Sequence, residues 1–315
     1  MAALVIPDTQ HDRLISEYER LEQSWGGGAE PKGSQLQEEQ ISSVIELASR
    51  YDVLFDAVAI DMALQRDADT SEFKADQAAR IMKAVTPLTP PEGLQYYRDL
   101  ARACGLSNPL FIQAYLTISL IERLLKTATL FYALRIPTEL ATFRWVVDAK
   151  EIGGTEYERL WRALILPLTQ WTSIREPFTM IEGGNYSHFE RFRVDTASLP
   201  EHLKPCARGR GGMNLGLILG EHFTLGESAL TPGLRLVDIL ASAFTRALNA
   251  TLGQRGWRGL GRLMITRDCA TIKFTRLKVD GLSFSLNAAP YAGVVHEWVA
   301  ETKSMFPGYS RWADR

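Results

Sequence analysis

Short apolar segments rich in β-branched residues alternate along this chain with longer segments of helical periodicity. The segments at 53–61, 142–148 and 178–182 (VLFDAVAID, TFRWVVD and FTMIE) are typical of strands that are buried on both faces. Such strands belong to sheets that helices cover on both sides. The alternation therefore predicts an α/β fold with a mixed, mostly buried central sheet flanked by helices.

The helical pattern, with apolar residues every three or four positions, is found at 10–25, at 36–48 and in the late segment 233–248. Three further helical patterns, separated by proline and glycine breaks, predict a helical insertion over 71–134 that packs on the sheet. The chain has 315 residues, of which 46% are hydrophobic, and we expect one α/β domain over 1–315.

Composition excludes several functional classes. The net charge of −2 argues against a polybasic protein that coats nucleic acid by bulk charge, although 35 Lys and Arg leave room for a local basic groove. Three cysteines without Cys-x-x-Cys spacing indicate free thiols in a reducing compartment. The most apolar stretch, 110–134, is interrupted by three charges, which is typical of a core helix and not of a membrane span. With no signal-peptide pattern at the start, we expect a cytoplasmic protein without a membrane partner.

The familiar nucleotide and hydrolase motifs are missing. The sequence has no phosphate-binding Gly-x-x-x-x-Gly-Lys-Ser/Thr loop, no Gly-x-Gly-x-x-Gly after a strand, no Gly-x-Ser-x-Gly and no His-Glu-x-x-His. Its five histidines lack the spacing of metal ligands. Carboxylates at the ends of strands are the remaining candidates for chemistry.

Three acids close the predicted strands, namely Asp61, Asp148 and Glu182, and a fourth, Asp238, lies among apolar neighbours in the late helix. In open α/β sheets, ligands collect at the carboxyl ends of strands. Mg²⁺ prefers oxygen ligands, and two such ions held by carboxylates cleave phosphodiesters. We therefore predict that Asp148, Glu182 and Asp238 are catalytic and bind Mg²⁺ or Mn²⁺. Each acid alone is also compatible with a structural role, and Asp238 with an ion pair to Arg235 or Arg246.

Polar residues near these acids are the predicted substrate contacts. One group follows the strand-end acids, and another lies in loops and at helix starts where phosphates bind. They are Lys150, His188, Arg208, Arg210, Lys32, Ser34 and Arg235. Polar loops and a plain capped turn at 32–34 are the structural alternatives.

At these residues the chain resembles domain-of-unknown-function family 3800. The late helix, with Leu-Val-Asp-Ile-Leu-Ala at 236–241, resembles the family's Leu-Gln-Leu-Ala-Asp signature. Lys32-Gly33-Ser34 and the strand ending at Asp148 precede it in the family's order. The resemblance spans roughly residues 4–248 and rests on order and spacing. It implies a ribonuclease-H-like fold, a metal-dependent nuclease-like site and a place in phage defence or mobile-element biology.

Two features depart from the family. Its first strand, which carries Asp-Glu-Ser, has no counterpart, because the chain begins with the apolar run 4–6 where the family has its second strand. Arg235 also stands where the family usually has Gln. We expect that the natural reading frame extends upstream of Met1 and encodes a strand ending in Asp-Glu, which would pair with 4–6 and supply a further metal ligand.

Two functional hypotheses follow. The first is a Mg²⁺- or Mn²⁺-dependent nuclease or related phosphodiesterase that acts on nucleic acid. The second is a catalytically inactive binding or regulatory protein of the same fold, which the missing first acid favours. Its protein partner would be a second copy of the chain or a component of a defence system. Convergence of the three acids within about 8 Å would favour the first hypothesis.

Overall fold

The computed structural model describes residues 1–26, 32–87, 89–148, 160–207, 211–266, 271–279, 286 and 289–307. The structure is α/β, with 57% helix and small mixed sheets. Its strands are short, which limits the size of each sheet. They are β1 (Ala2–Val5), β2 (Leu54–Ile60), β3 (Trp145–Asp148), β4 (Arg193–Val194), β5 (Gly212–Met213), β6 (Phe223–Gly226) and β7 (Lys273–Thr275).

The first sheet has the strand order β1–β2–β7. β1 runs antiparallel to β2, with Ala3 opposite Asp56, and β7 lies parallel to β2 on its other side. The amino group and the carbonyl of Met1 both bond to the backbone of Val58, at 3.0 and 2.9 Å, so the antiparallel ladder reaches the first residue. β2 confirms the strand predicted at 53–61, and the apolar run at 4–6 overlaps β1.

The two further sheets in the described part of the chain are strand pairs. β3 is parallel to β6, with Asp148 opposite Gly226, and β4 is antiparallel to β5. β3 confirms the second half of the strand predicted at 142–148. The α/β class is confirmed, but the prediction of one central sheet that holds both β2 and β3 is wrong for the described residues, because these strands lie in different sheets.

Segment 178–182 is not a strand. It is a loop that leads into a turn at Glu182 and Gly183, where Gly183 has a φ of +84°. The backbone N–H of Ile181 donates to the Tyr186 hydroxyl at 2.9 Å, so a side chain takes the place of a partner strand. Phe178 and Ile181 pack against the core, which explains the apolar pattern without a strand.

The helices follow the predicted periodicity. The longer ones are α1 (Asp8–Gln23), α2 (Glu38–Ser49), α3 (Asp67–Met82), α4 (Pro91–Ala103), α5 (Asn108–Ala133), α6 (Leu166–Arg175), α9 (Pro232–Leu248) and α11 (Ala292–Glu301). Three are short: α7 (Lys204–Ala207), α8 (Leu215–Gly220) and α10 (Gln254–Trp257). One π-helical turn, Trp161–Ile165, precedes α6. Among the described helices, none is by itself long and apolar enough to cross a membrane.

Helices cover both faces of the first sheet because side chains alternate along β2. Phe55 and Ala57 point into a core shared with α1, α2, α9 and α11. Val58 points the other way, onto a row of leucines from α5. The helices α3, α4 and α5 occupy the segment predicted as a helical insertion, and α5 is the one that packs on the sheet.

A buried ion pair joins α5 to the sheet. Asp56 lies in the middle of β2 and faces α5, where Arg123 donates from Nε to both carboxylate oxygens at 3.1 and 3.2 Å. The exposed fraction of the side chain is 8% for Asp56 and 15% for Arg123. Arg123 also donates to the Thr271 carbonyl at 2.9 Å, beside β7. This one side chain therefore connects β2, α5 and the segment that leads into β7.

Candidate functional site

Asp238 lies on the outer face of α9. The opposite face of this helix is buried, with Leu236, Ile239 and Leu240 fully inside the core. The Asp238 side chain itself is exposed. The prediction that Asp238 sits in an apolar environment is wrong, because side chains adjacent in a helical sequence point in different directions. An exposed carboxylate keeps its hydration and is open to a ligand.

The loop at 32–36 packs onto this face of α9. Oδ2 of Asp238 accepts a hydrogen bond from the backbone N–H of Gly33 at 3.1 Å. Arg246, two turns further along α9, donates to the carbonyls of Gly33 and Leu36 at 3.2 and 2.9 Å. Two features predicted separately, the Lys-Gly-Ser segment and the late-helix acid, are thus brought together. Among the described residues, neither Arg235 nor Arg246 forms the ion pair with Asp238 that was its structural alternative.

Lys32 and Ser34 are exposed on either side of this anchored glycine. Ser34 does not stand at the start of the next helix. α2 begins at Glu38, and the backbone N–H of Gln37 before it donates to the side chain of Gln40 at 2.9 Å. The hypothesis that Lys32-Gly33-Ser34 binds an anion at the N-terminus of the next helix is therefore wrong in its geometry. Lys32 and Ser34 lie instead in the loop that packs on α9.

Arg235 has a structural role. It forms a bidentate pair with Glu22 of α1, with both N–O distances 2.8 Å. Its exposed fraction is only 10%, and Tyr18 donates to the same carboxylate at 2.9 Å. The hydrogen bonds to Glu22 are the main cause that raises the pKa of Arg235. The prediction that Arg235 contacts substrate is not supported by this geometry, because the guanidinium is committed to holding α1 against α9.

Asp148 ends β3, and its side chain is exposed. Gly226, its partner in β6, is packed closely by α9: a Cβ placed on Gly226 would come within 3.2 Å of Cδ1 of Leu234. Asp238 follows Leu234 by four residues and so stands one helical turn further along α9, at an exposed position, whereas Leu234 is buried. The carboxyl end of β3 is therefore linked to α9 through one packed leucine, one turn before Asp238.

Asp61 closes β2 and makes local contacts. Its Oδ1 accepts from the backbone N–H of Ala63 at 3.0 Å, which stabilises the turn after the strand. Its Oδ2 accepts from the Tyr291 hydroxyl at 3.4 Å. Burial, followed by the charge of Asp61, raises the pKa of Tyr291 to about 12. These contacts give Asp61 a structural role, which the sequence analysis had kept as the alternative to a functional role for each acid.

Five further residues were predicted to belong to the site, namely Glu182, His188, Lys150, Arg208 and Arg210. Glu182, the last residue of the 178–182 segment, lies exposed in a turn, and His188 is exposed in the next turn. Lys150, Arg208 and Arg210 lie outside the described residues.

Sequence patterns did not single out a second polar group, which lies between α5, β7 and α6. Lys273 of β7 donates to Oγ of Ser119 at 2.8 Å. Burial raises the pKa of Glu122 and lowers that of Lys273, while the charge of each opposes the shift of the other. Such opposed shifts occur both in structural ion pairs and in active sites. The sequence signal was present in the charges that interrupt the apolar stretch 110–134.

The described ranges contain no group of three or more His, Cys, Asp or Glu side chains placed to hold a metal ion. Asp148, Glu182 and Asp238 are thus not assembled there as one three-acid group, and the role of each acid stays a prediction. The donor chemistry of two of them suits Mg²⁺ or Mn²⁺, because both are exposed carboxylates and the ion usually takes one or two carboxylates together with substrate phosphates. They are Asp148 and Asp238.

Comparison of the chain with protein-family models, with curated proteins and with solved structures finds no match.

Proposed function

We propose that this chain is a Mg²⁺- or Mn²⁺-dependent phosphodiesterase of the ribonuclease-H-like class that acts on nucleic acid. Asp148 and Asp238 are the carboxylates that hold the metal. The observation that carries the proposal is the packing of α9 on the paired ends of β3 and β6. There Leu234 lies against Gly226, the partner of Asp148, and stands one helical turn before Asp238.

The environment of Asp238 supports a ligand role. One carboxylate oxygen, Oδ2, is fixed by the Gly33 N–H. Within the described residues, no hydrogen bond reaches the other oxygen. Ligating carboxylates are commonly oriented in this way by a hydrogen bond from outside the metal site.

Lys32 is the substrate contact that the geometry favours. It immediately precedes the glycine that Asp238 anchors, and its side chain is exposed. A lysine ammonium binds a phosphate as a point charge. When bound, the metal would stabilise the charge that develops on a phosphodiester during attack by water. The chain's own part is to hold the two carboxylates and to bring a cation beside them. The strand end that suggested a role for Glu182 is absent from the structure. Its metal-binding role stays a prediction outside the two-carboxylate site.

A cleavage assay tests the proposed reaction. Labelled single-stranded DNA, RNA and an RNA–DNA hybrid would be incubated with the purified protein, with Mg²⁺ or Mn²⁺ and with a chelator. We expect metal-dependent cleavage of one of these substrates, and its loss in Asp148→Asn and Asp238→Asn. Asp61→Asn is the matched control and should keep the activity. Metal-dependent binding of a substrate without cleavage would contradict the proposed phosphodiesterase activity. It would favour the second hypothesis, a catalytically inactive binding protein.

A further inference from the structure

Three residues of α9 line up along one face beneath the 32–36 loop. Asp238, Ser242 and Arg246 are spaced four residues apart, which places them one above the other on a helix. The first accepts from the Gly33 N–H, and the last donates to the Gly33 carbonyl. The peptide groups on both sides of the Gly33 Cα are therefore held by side chains from the same helix.

Ser242, the middle of these three residues, lies so close to the loop that residue 33 must be a glycine. A Cβ on residue 33 would lie 2.8 Å from the Cβ of Ser242 and 2.9 Å from both the Asp238 carbonyl oxygen and the Ile239 Cα. Real Cβ atoms do not approach backbone atoms that closely, so any side chain would lift the loop away from α9. The close approach lets Arg246 reach two carbonyls of the loop, those of Gly33 and Leu36.

We propose that Arg246 is a positioning residue that orients the carboxylate of Asp238 by clamping the 32–36 loop onto α9. The inference rests on the proposed function, because Asp238 is the metal ligand that the clamp serves. Within the described part of the chain, Arg246 forms no hydrogen bond or ion pair with the carboxylate. It fixes the carbonyls of the loop, and the loop in turn presents the Gly33 N–H to Oδ2 of Asp238. The same clamp sets the position of Lys32.

The test compares Arg246→Gln with Arg235→Gln, since both remove an arginine anchor from α9 but only one faces the loop. The first readout is the hydrogen-exchange rate of the Gly33 amide in the metal-free protein, measured by NMR. The second is the Kd for Mn²⁺, measured by calorimetry. We expect Arg246→Gln to speed exchange at Gly33 and to weaken Mn²⁺ binding by about 10- to 100-fold, as loss of an orienting partner does. Arg235→Gln should change neither, although it lowers the unfolding midpoint.

Two further variants distinguish a local effect on the loop from a general loss of folding. Arg246→Lys keeps a cationic donor and should restore part of both readouts. Gly33→Ala disturbs the same contact from the loop side and should reproduce both effects of Arg246→Gln. Unchanged exchange at Gly33 in Arg246→Gln, or equal effects in Arg235→Gln, would overturn the positioning role. Faster exchange at Gly33 with no Mn²⁺ binding even by the unaltered protein would leave the clamp intact and overturn the proposed function.

Discussion

Arg123→Ala should destabilise the protein far more than the loss of an arginine from a surface ion pair. Arg123 and Asp56 lie between α5 and the first sheet, with exposed fractions of 15% and 8%. Their Coulombic attraction offsets the cost of desolvating the two ions. Removing the arginine leaves a buried carboxylate without its cation, which typically costs about 3–5 kcal/mol. The Thr271 carbonyl loses its donor in the same step.

Urea unfolding followed by circular dichroism measures this loss of free energy of unfolding. The comparison holds when the slope of that free energy against urea concentration is the same in both proteins. The matched control is Arg102→Ala. Arg102 pairs with Asp99 at 2.8 Å on the surface of α4, with exposed fractions of 75% and 51%, and such a pair is worth about 0–1 kcal/mol. A second control replaces both buried partners, as Asp56→Val with Arg123→Leu, and should recover most of the stability. Similar losses for Arg123→Ala and Arg102→Ala would refute the reasoning.

Two other predictions concern packing and pH. Gly261→Ala should lower the free energy of unfolding by about 1–3 kcal/mol, because the new methyl group would overlap the Trp298 carbonyl oxygen and lie 2.8 Å from the Trp298 Cα. Gly293→Ala in α11 has open space around its Cβ position. It should instead raise the free energy of unfolding by about 0.4–1 kcal/mol, as measured by thermal unfolding. Burial lowers the pKa of Lys303, whose amine donates to two backbone carbonyls in 51–53, from 10.5 to about 8. The unfolded chain then holds more protons than the native one between these values, so stability contributed by Lys303 should rise with pH across that window. Lys303→Met should lack this rise, and an identical pH profile would contradict it.

The helices and the longer strand were predictable because their signal is local. β2 and the three helices of the 71–134 segment follow from apolar spacing alone. The 178–182 segment has the same local pattern as a strand but is a loop. Its apolar side chains enter the core, while the Tyr186 hydroxyl accepts a bond from its backbone. A short apolar run therefore indicates burial more reliably than it indicates a strand.

The candidate site was predictable in part. The order of the Lys-Gly-Ser segment and the late helix pointed to two elements that meet in the structure, at Gly33 and Asp238. The partner of Arg235 was not predictable, because Glu22 is 213 residues away in the chain and no local pattern connects them. The exposure of Asp238 was misjudged from its neighbours in sequence, because adjacent residues of a helix point in different directions.

The central claim is that Asp238 holds a divalent metal, and Mn²⁺ titration calorimetry tests it most directly. The unaltered protein, Asp238→Asn and Asp61→Asn would be titrated under the same conditions, because both acids have apolar neighbours in the sequence but Asp61 is engaged in a turn. We expect the unaltered protein and Asp61→Asn to bind Mn²⁺ alike, and Asp238→Asn to bind at least about tenfold more weakly, since it loses a charged ligand. Equal affinities in the two variants, or no heat of binding in the unaltered protein, would contradict the account.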